Sequence, residues 1–183
     1  IGLAMLPAGK FNPFELDTFG LGKLLKAAAS QGAKQILVGI GGSATNDGGF
    51  GLARAVGWKF LAADQKPILQ WTELHRLVEI RPPRECRYGK ITVAVDVRNP
   101  LLGVRGASRV YGPQKGLRVE DFSRAEKCLG RLATVARQHF SHDFAKWPGA
   151  GAAGGLGFGL LAFMGAEPES GFELFARHAK LDR

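Results

Sequence analysis

Apolar and polar positions recur along this chain with two different periods, and each change of period marks an element. Residues 1–13 keep neither period and carry Pro7, Gly9 and Pro13, an irregular lead-in. Asp17 or Thr18 then stands where a helix cap is wanted, ahead of Leu21, Leu24, Leu25 and Ala28 at helical spacing. Gly32 stops that helix. Residues 35–40 form a short apolar run that reads as a buried strand, and Phe50 to Val56 reads as a short helix ending near Gly57. Residues 58–61 alternate like a strand before the turn Asp64-Gln65-Lys66-Pro67. Within 68–90 the pattern selects no single structure, and Pro82-Pro83 interrupts any helix. Ile91-Thr92-Val93-Ala94-Val95 is rich in β-branched residues and reads as a buried strand. A long loop over 96–117 precedes the clearest amphipathic pattern, Glu120 to Phe140, with Phe122, Ala125, Leu129, Leu132, Ala136 and Phe140 on one face. Trp147-Pro148 ends that region, residues 149–159 lead into an apolar helix over 156–164, and Ser170-x-x-Glu173 predicts a capping box for a last helix over 171–181.

Strands separated by helices predict an α/β fold. At 183 residues the chain can bury a sizeable core as one domain, and a mixed sheet flanked by helices is expected. No internal repeat is visible.

Composition adds one thing the periods do not: 26 glycines, about twice the usual share, gathered in stretches that otherwise look ordered. The densest stretch, Gly39-Ile40-Gly41-Gly42-Ser43-Ala44-Thr45-Asn46-Asp47-Gly48-Gly49, lies between a strand and a helix. Glycine permits positive φ and close backbone approach, and free N–H groups ahead of a helix attract anions. Ser43, Thr45 and Asn46 add donors and Asp47 an acceptor, so the loop suits an oxyanion or phosphate, with Asp47 available to a cation. A tight turn with a capped helix explains two of the glycines but not the run. The phosphate-binding pattern G-x-x-x-x-G-K-[ST] is absent. A dinucleotide fingerprint fits loosely at Gly39-x-Gly41-x-x-Ala44, with Asp64 downstream, and again at Gly149-x-Gly151-x-x-Gly154, which follows no strand.

Two further groups carry chemistry. Asp96 sits at the end of the strand over 91–95, where ligands bind in open α/β sheets. It could hold Mg²⁺, accept a hydroxyl proton, or cap the next turn. Asn99, Arg109 and Lys115 follow in Val95-Asp96-Val97-Arg98-Asn99-Pro100 and Gly106-Ala107-Ser108-Arg109-Val110-Tyr111-Gly112-Pro113-Gln114-Lys115-Gly116. Lys115 reads as a mobile cation on a glycine-framed loop, and Arg109 offers a bidentate fork for carboxylate or phosphate. Gly149 and Gly151, in Pro148-Gly149-Ala150-Gly151-Ala152-Ala153-Gly154-Gly155, allow either a second anion nest or close packing.

A net charge of +9 raises nucleic-acid binding. Against it, the densest basic group, Arg76, Arg81, Arg84, Arg87 and Lys90, is interleaved with Glu73, Glu79 and Glu85, and no nucleic-acid motif accompanies it. The charge fits an anionic small substrate equally well. Cys86 and Cys128 keep no metal or redox spacing, which suggests free thiols in a reducing, cytoplasmic setting. His139-x-x-His142-Asp143 resembles a metal pair only superficially, and His75 and His178 show no partners. The longest apolar run, 156–166, is too short to span a bilayer.

The three glycine-bearing segments, in this order, resemble those of glycerate kinases of bacterial glycerate and glyoxylate metabolism. The likeness begins near Leu3 and runs to the end. It implies transfer of the ATP γ-phosphoryl group to a hydroxyl of D-glycerate, with Mg²⁺, in a cleft between two α/β domains. The family's opening Pro-Asp-Ser-Phe/Tyr-Lys and later Thr-Gly-Glu-Gly segments are missing, and the chain opens at Ile1 rather than Met. The chain therefore resembles the middle, inserted domain, with a Rossmann-like part of the same protein as its partner. On this reading Gly41, Gly42, Ser43, Asn46, Gly48, Gly49, Asn99, Arg109, Gly149 and Gly151 face substrate or phosphate. Asp47, Asp96 and Lys115 are the catalytic candidates, and Asp47 and Asp96 the Mg²⁺ ligands. The rival readings are a dinucleotide-binding oxidoreductase domain and a basic nucleic-acid-binding domain; membrane and nucleic-acid partners are not expected.

Overall fold

A computed structural model describes residues 2–7, 11–84 and 88–181. Five strands and six α-helices follow one another along them: α1 (Phe19–Ser30), β1 (Gln35–Gly39), α2 (Phe50–Ala55), β2 (Lys59–Ala62), β3 (Leu77–Arg81), β4 (Lys90–Ala94), α3 (Ala107–Tyr111), α4 (Phe122–Phe140), α5 (Ala152–Met164), β5 (Glu167–Glu169) and α6 (Gly171–Ala179). The α/β class expected from the pattern is the one observed. The parallel and antiparallel pairings fall into two sheets, however, rather than one mixed sheet. β1, β4 and β5 form a parallel sheet with β4 in the middle, and β2 and β3 form a separate antiparallel hairpin.

The hairpin supplies what 68–90 left open. A 3₁₀ turn, Trp71–Arg76, feeds β3, and its buried Trp71, Leu74, Leu77 and Ile80 alternate with exposed positions. They join a core with Phe50, Phe60, Leu129, Leu132, Phe158 and Phe163. A second core lies between the parallel sheet, α1 and α5, built on Leu25, Val38, Ile91, Val93, Leu156 and Leu160. Ile36 pairs with Ile91 and Val38 with Val93 in register, so all four point to this core. Cys86 lies outside the described residues, as do Glu85 and Arg87; Cys128 is buried and donates its thiol to the Thr72 carbonyl.

Local chemistry at the helix ends differs from the sequence pattern. Asp17 caps α1 by accepting from the Phe19 N–H. The Ser170–Glu173 capping box does not form; Asp96, from the end of the sheet, accepts from Ser170 Oγ and from the Gly171 N–H instead. α5 begins with three consecutive left-handed residues, Ala153 (φ 55°), Gly154 (φ 71°) and Gly155 (φ 86°), before turning right-handed. Pairing of Gly39 with Ala94 brings the carboxyl ends of β1 and β4 side by side, so the loops that leave them share one edge of the sheet.

Candidate active site

A cavity of about 280 Å³ opens at that edge. Ile40 to Ser43 form one side, Ala94 to Val97 another, and Tyr111, Gln114, Lys115, Ala152 and Ala153 close it. Four of the residues expected from sequence meet here with their surroundings intact: Gly41, Gly42, Ser43 and Asp96. Lys115 is the fifth, in a state opposite to the one expected.

Lys115 is not a mobile surface cation. It ends a 3₁₀ turn, Pro113–Lys115, and is 1% exposed. Its Nζ donates to Ser43 Oγ at 3.0 Å and to the Thr45 carbonyl at 2.7 Å. An ammonium has three N–H bonds, so one remains for the cavity. Burial lowers its pKa to about 8, against the opposing pull of the Asp47 carboxylate. Gly116 follows at φ 89°, the left-handed turn that lets the chain leave directly behind the lysine.

The loop Gly41–Ser43 faces this cation. Gly42 has φ 68°, with nothing within 4 Å of where a Cβ would stand. The Gly42 carbonyl accepts from the Leu3 N–H, which fixes the turn from outside. Among the described residues nothing accepts from the backbone N–H of Gly41, Gly42 or Ser43. The backbone of this loop borders the cavity beside the remaining Lys115 ammonium proton, a combination suited to an anion.

Asp96 is exposed at the sheet edge, and both of its hydrogen bonds go to Oδ1: Ser170 Oγ at 3.2 Å and Gly171 N at 2.8 Å. Oδ2 accepts nothing among the described residues. A Cβ on Gly171 would stand 2.6 Å from Oδ2, so glycine there keeps that oxygen open. The carboxylate is thus oriented by one atom and free to act with the other.

Asp47 is elsewhere. It is fully buried, and its two oxygens accept four bonds: from Thr18 N (2.9 Å), Thr18 Oγ1 (2.7 Å) and Gly51 N (2.8 Å) on Oδ2, and from Gly49 N (3.2 Å) on Oδ1. Burial pushes its carboxyl above the usual range, opposed by the bonds from Gly51 and Thr18. Thr18 Oγ1 also accepts from the Leu52 N–H, so one carboxylate ties the start of α1 to the start of α2. A cation would have to displace these donors, and none of Asp47 lines the cavity.

The other expected contacts are also structural. The Gly48 N–H donates to the Gly154 carbonyl and the Gly49 N–H to Asp47, leaving neither for an anion. A Cβ on Gly49 would stand 2.6 Å from Gly159 Cα, and one on Gly154 would stand 2.0 Å from the Thr45 carbonyl oxygen. Asn46 Nδ2 donates to Ser108 Oγ in the interior and pins the loop to α3. Asn99 accepts from Tyr111 OH at 2.7 Å, donates to the Arg105 carbonyl, and takes the Gly149 and Gly151 N–H groups on its own carbonyl. Those two glycines serve close packing, since a Cβ on Gly151 would stand 2.2 Å from the Pro100 carbonyl oxygen. Arg109 is exposed and stacks over the Phe122 ring, 5.7 Å from its centroid, outside the cavity lining.

The rival features lead elsewhere too. Asp64 pairs with Lys66 in the β2–β3 turn. Arg76, Arg81 and Lys90 pair with Glu73, Glu79 and Glu167. His139 packs edge-on to Trp58, and His142 to Phe144. Tyr111, Gln114 and Ala153 are among the lining residues not singled out from sequence. All three stood inside quoted segments; what the sequence did not signal at Ala153 is its left-handed conformation, a tertiary outcome.

For Mg²⁺ the donor set fits one way. No group of three or more His, Cys, Asp or Glu residues gathers among the described residues. Mg²⁺ in phosphoryl-transfer sites is often held by one or two carboxylates together with substrate phosphates and water, and Asp96 Oδ2 suits that use. No helix among the described residues is long and apolar enough to cross a membrane.

Comparison with known proteins shows the family and the fold. The family model described as the glycerate kinase family matches residues 1–183. A glycerate kinase from Halalkalibacterium halodurans is 43% identical over 177 residues, which is 94% of this chain and 47% of that protein. A glycerate 2-kinase from Escherichia coli K12 is 41% identical over 188 residues, 99% of this chain and 49% of the relative. A crystal structure of a protein assigned as glycerate kinase 2, from Salmonella typhimurium LT2, superposes with a TM-score of 0.91 at 38% identity, covering 98% of this chain and 49% of the other. The chain therefore spans about half the length of the relatives it matches, and it belongs to the glycerate kinase family.

Proposed function

We propose that this chain forms one wall of the active site of an ATP-dependent kinase that phosphorylates a hydroxyl of D-glycerate. The observation that carries the reading is the pairing of a buried, doubly tethered Lys115 with a half-free Asp96 carboxylate in one small cavity. Phosphoryl transfer asks the protein mainly for positioning and charge stabilisation. In the proposed step the substrate hydroxyl oxygen attacks the γ-phosphorus, the bond to the β-phosphate oxygen breaks, and ADP leaves. Asp96 Oδ2 takes the hydroxyl proton, while Lys115 and the Gly41–Ser43 amides hold an anionic group of the reactants. Holding Mg²⁺, whose charge would offset that of the nucleotide phosphates, is the alternative use of the same Oδ2; the two uses exclude each other, and the test below separates them. The remaining half of the full-length protein supplies the facing wall, so the isolated chain should lack turnover. Cytoplasmic organic-acid metabolism is the setting this implies.

The test is Asp96→Asn in the full-length protein, in a coupled ADP-release assay with D-glycerate. Asparagine keeps an oxygen ligand but cannot take a proton, so kcat should fall about 10²-fold or more at every Mg²⁺ concentration. Recovery at raised Mg²⁺ would make Asp96 a metal ligand alone. Unchanged kinetics in a folded variant would remove it from the reaction.

A further inference from the structure

We infer that the Lys115 and Gly41–Ser43 corner binds the carboxylate of the acceptor, not the transferred phosphoryl group, and so selects hydroxy-acid anions over neutral polyols. The inference rests on the kinase reading and deepens it.

Charge decides between the two anions. Among the described lining residues Lys115 is the one cation and Asp96 the one carboxylate. Such a lining is neutral overall and suits a monoanion that also bears hydroxyls. A nucleotide polyphosphate carries several negative charges and is ordinarily met by several cations. None of the other lining side chains is basic, and a bare phosphate would meet the Asp96 carboxylate at close quarters.

Size agrees. About 280 Å³ lies below the roughly 300–1,000 Å³ of pockets that enclose drug-sized ligands. A three-carbon acid fits that space. Rigidity agrees as well. Lys115 is held at both Ser43 Oγ and the Thr45 carbonyl, and the Gly42 turn is held by Leu3. A fixed corner suits a group that stays in place through the reaction, as the carboxylate does. The γ-phosphoryl group must move from one oxygen to another. The arrangement leaves the acceptor hydroxyls on the side of Asp96 and the nucleotide on the open side of the cavity, toward the other half of the protein.

The experiment compares D-glycerate with its neutral analogue D-glyceramide as acceptors for the full-length protein, in wild type, Lys115→Met and Ser43→Ala. Wild type should prefer glycerate strongly. Lys115→Met should lower kcat/KM for glycerate at least about tenfold, chiefly through KM, and leave glyceramide within about twofold, so the preference collapses. Ser43→Ala should shift the ratio the same way by less, and it reads the corner if the methionine variant fails to fold. Equal losses for both acceptors, with the ratio unchanged, would place Lys115 on the phosphoryl group and overturn the inference. So would a wild type that does not distinguish the two acceptors. Calorimetry of D-glycerate alone separates this outcome from failure of the kinase reading. Binding weakened at least about tenfold by Lys115→Met, in a protein without turnover, would keep the carboxylate corner and reject the reaction. Unweakened binding would reject the corner.

Discussion

Replacing Asp47 should damage the fold before it touches the chemistry, and the structure sets the size of the effect. Asp47→Ala would strand three buried backbone donors, the N–H groups of Thr18, Gly49 and Gly51. Each stranded buried donor costs about 1–3 kcal/mol. Removing the carboxylate also relieves its own burial, so a net loss of about 3–5 kcal/mol is expected, the size seen when one member of a buried charged network is removed. Asp47→Asn can keep an oxygen on the Thr18 and Gly51 donors and set its amide against the Gly49 N–H. One donor is then lost, for about 1–2 kcal/mol. A domain has about 5–15 kcal/mol to lose, so alanine should come close to unfolding it and asparagine should not. Urea unfolding followed by the fluorescence of buried Trp58 and Trp71 reads both values. If alanine costs under about 1 kcal/mol, or asparagine as much as alanine, the anchoring role is wrong. A folded Asp47→Asn protein with kcat reduced a thousandfold or more would return Asp47 to the catalytic set.

Lys115 gives a pH signature with two opposed signs. Its folded pKa of about 8 lies below the 10.5 of an ordinary lysine, so between them the unfolded chain binds more protons and stability rises with pH. The rise is at most about 3 kcal/mol and should be absent from Lys115→Met; over the same window the cation is lost, and acceptor affinity should fall. Asp47 is the charged group that pulls against this shift, so Asp47→Asn should lower the midpoint further. Gly154→Ala should cost about 3 kcal/mol or more in a thermal melt, since its Cβ meets the Thr45 carbonyl oxygen at 2.0 Å and φ is 71°. Arg109→Ala should leave kcat and KM within about twofold and stability within about 1 kcal/mol, because its partner is the exposed face of Phe122; a loss of tenfold in kcat/KM would bring Arg109 back to the reactants.

Sequence periodicity located β1, β4 and α4 because each buries one apolar set at a single period: Val38, Ile91 and Val93, and Leu129 with Leu132. It failed over 68–90, where Trp71 and Leu74 belong to a 3₁₀ turn and Leu77 and Ile80 to a strand only three residues apart. No single period spans such a junction. The chemistry was legible in type but not in burial. Lys115 stands between Gln114 and Gly116 and reads as exposed; only the folding of Pro113–Lys115 under the Ser43 loop encloses it. Asp47 shows the converse: a carboxylate among glycines looks like a ligand, and the four donors that claim it come partly from Thr18, 29 residues earlier. Sequence spacing also suggested a capping box at Ser170, whereas the cap comes from Asp96, 75 residues away from Gly171.

The contact of Gly48 and Gly49 with Gly154, Gly155 and Gly159 is main chain against main chain. Such a seam contains no rotamers. It can neither soften by side-chain hopping nor be repacked by compensating substitutions, and it joins the two loops that border the cavity as a hinge pin joins two plates once it has been welded. This wall then has little freedom to fold over a ligand. On the proposed reading, enclosure of the reactants falls to the facing half of the full-length protein, and domain closure is then expected to register as a change in distance across the cleft while spacings inside this chain stay constant. Two labels on the loops joined by this seam should then keep their distance during turnover, while one label on each half should report the closure.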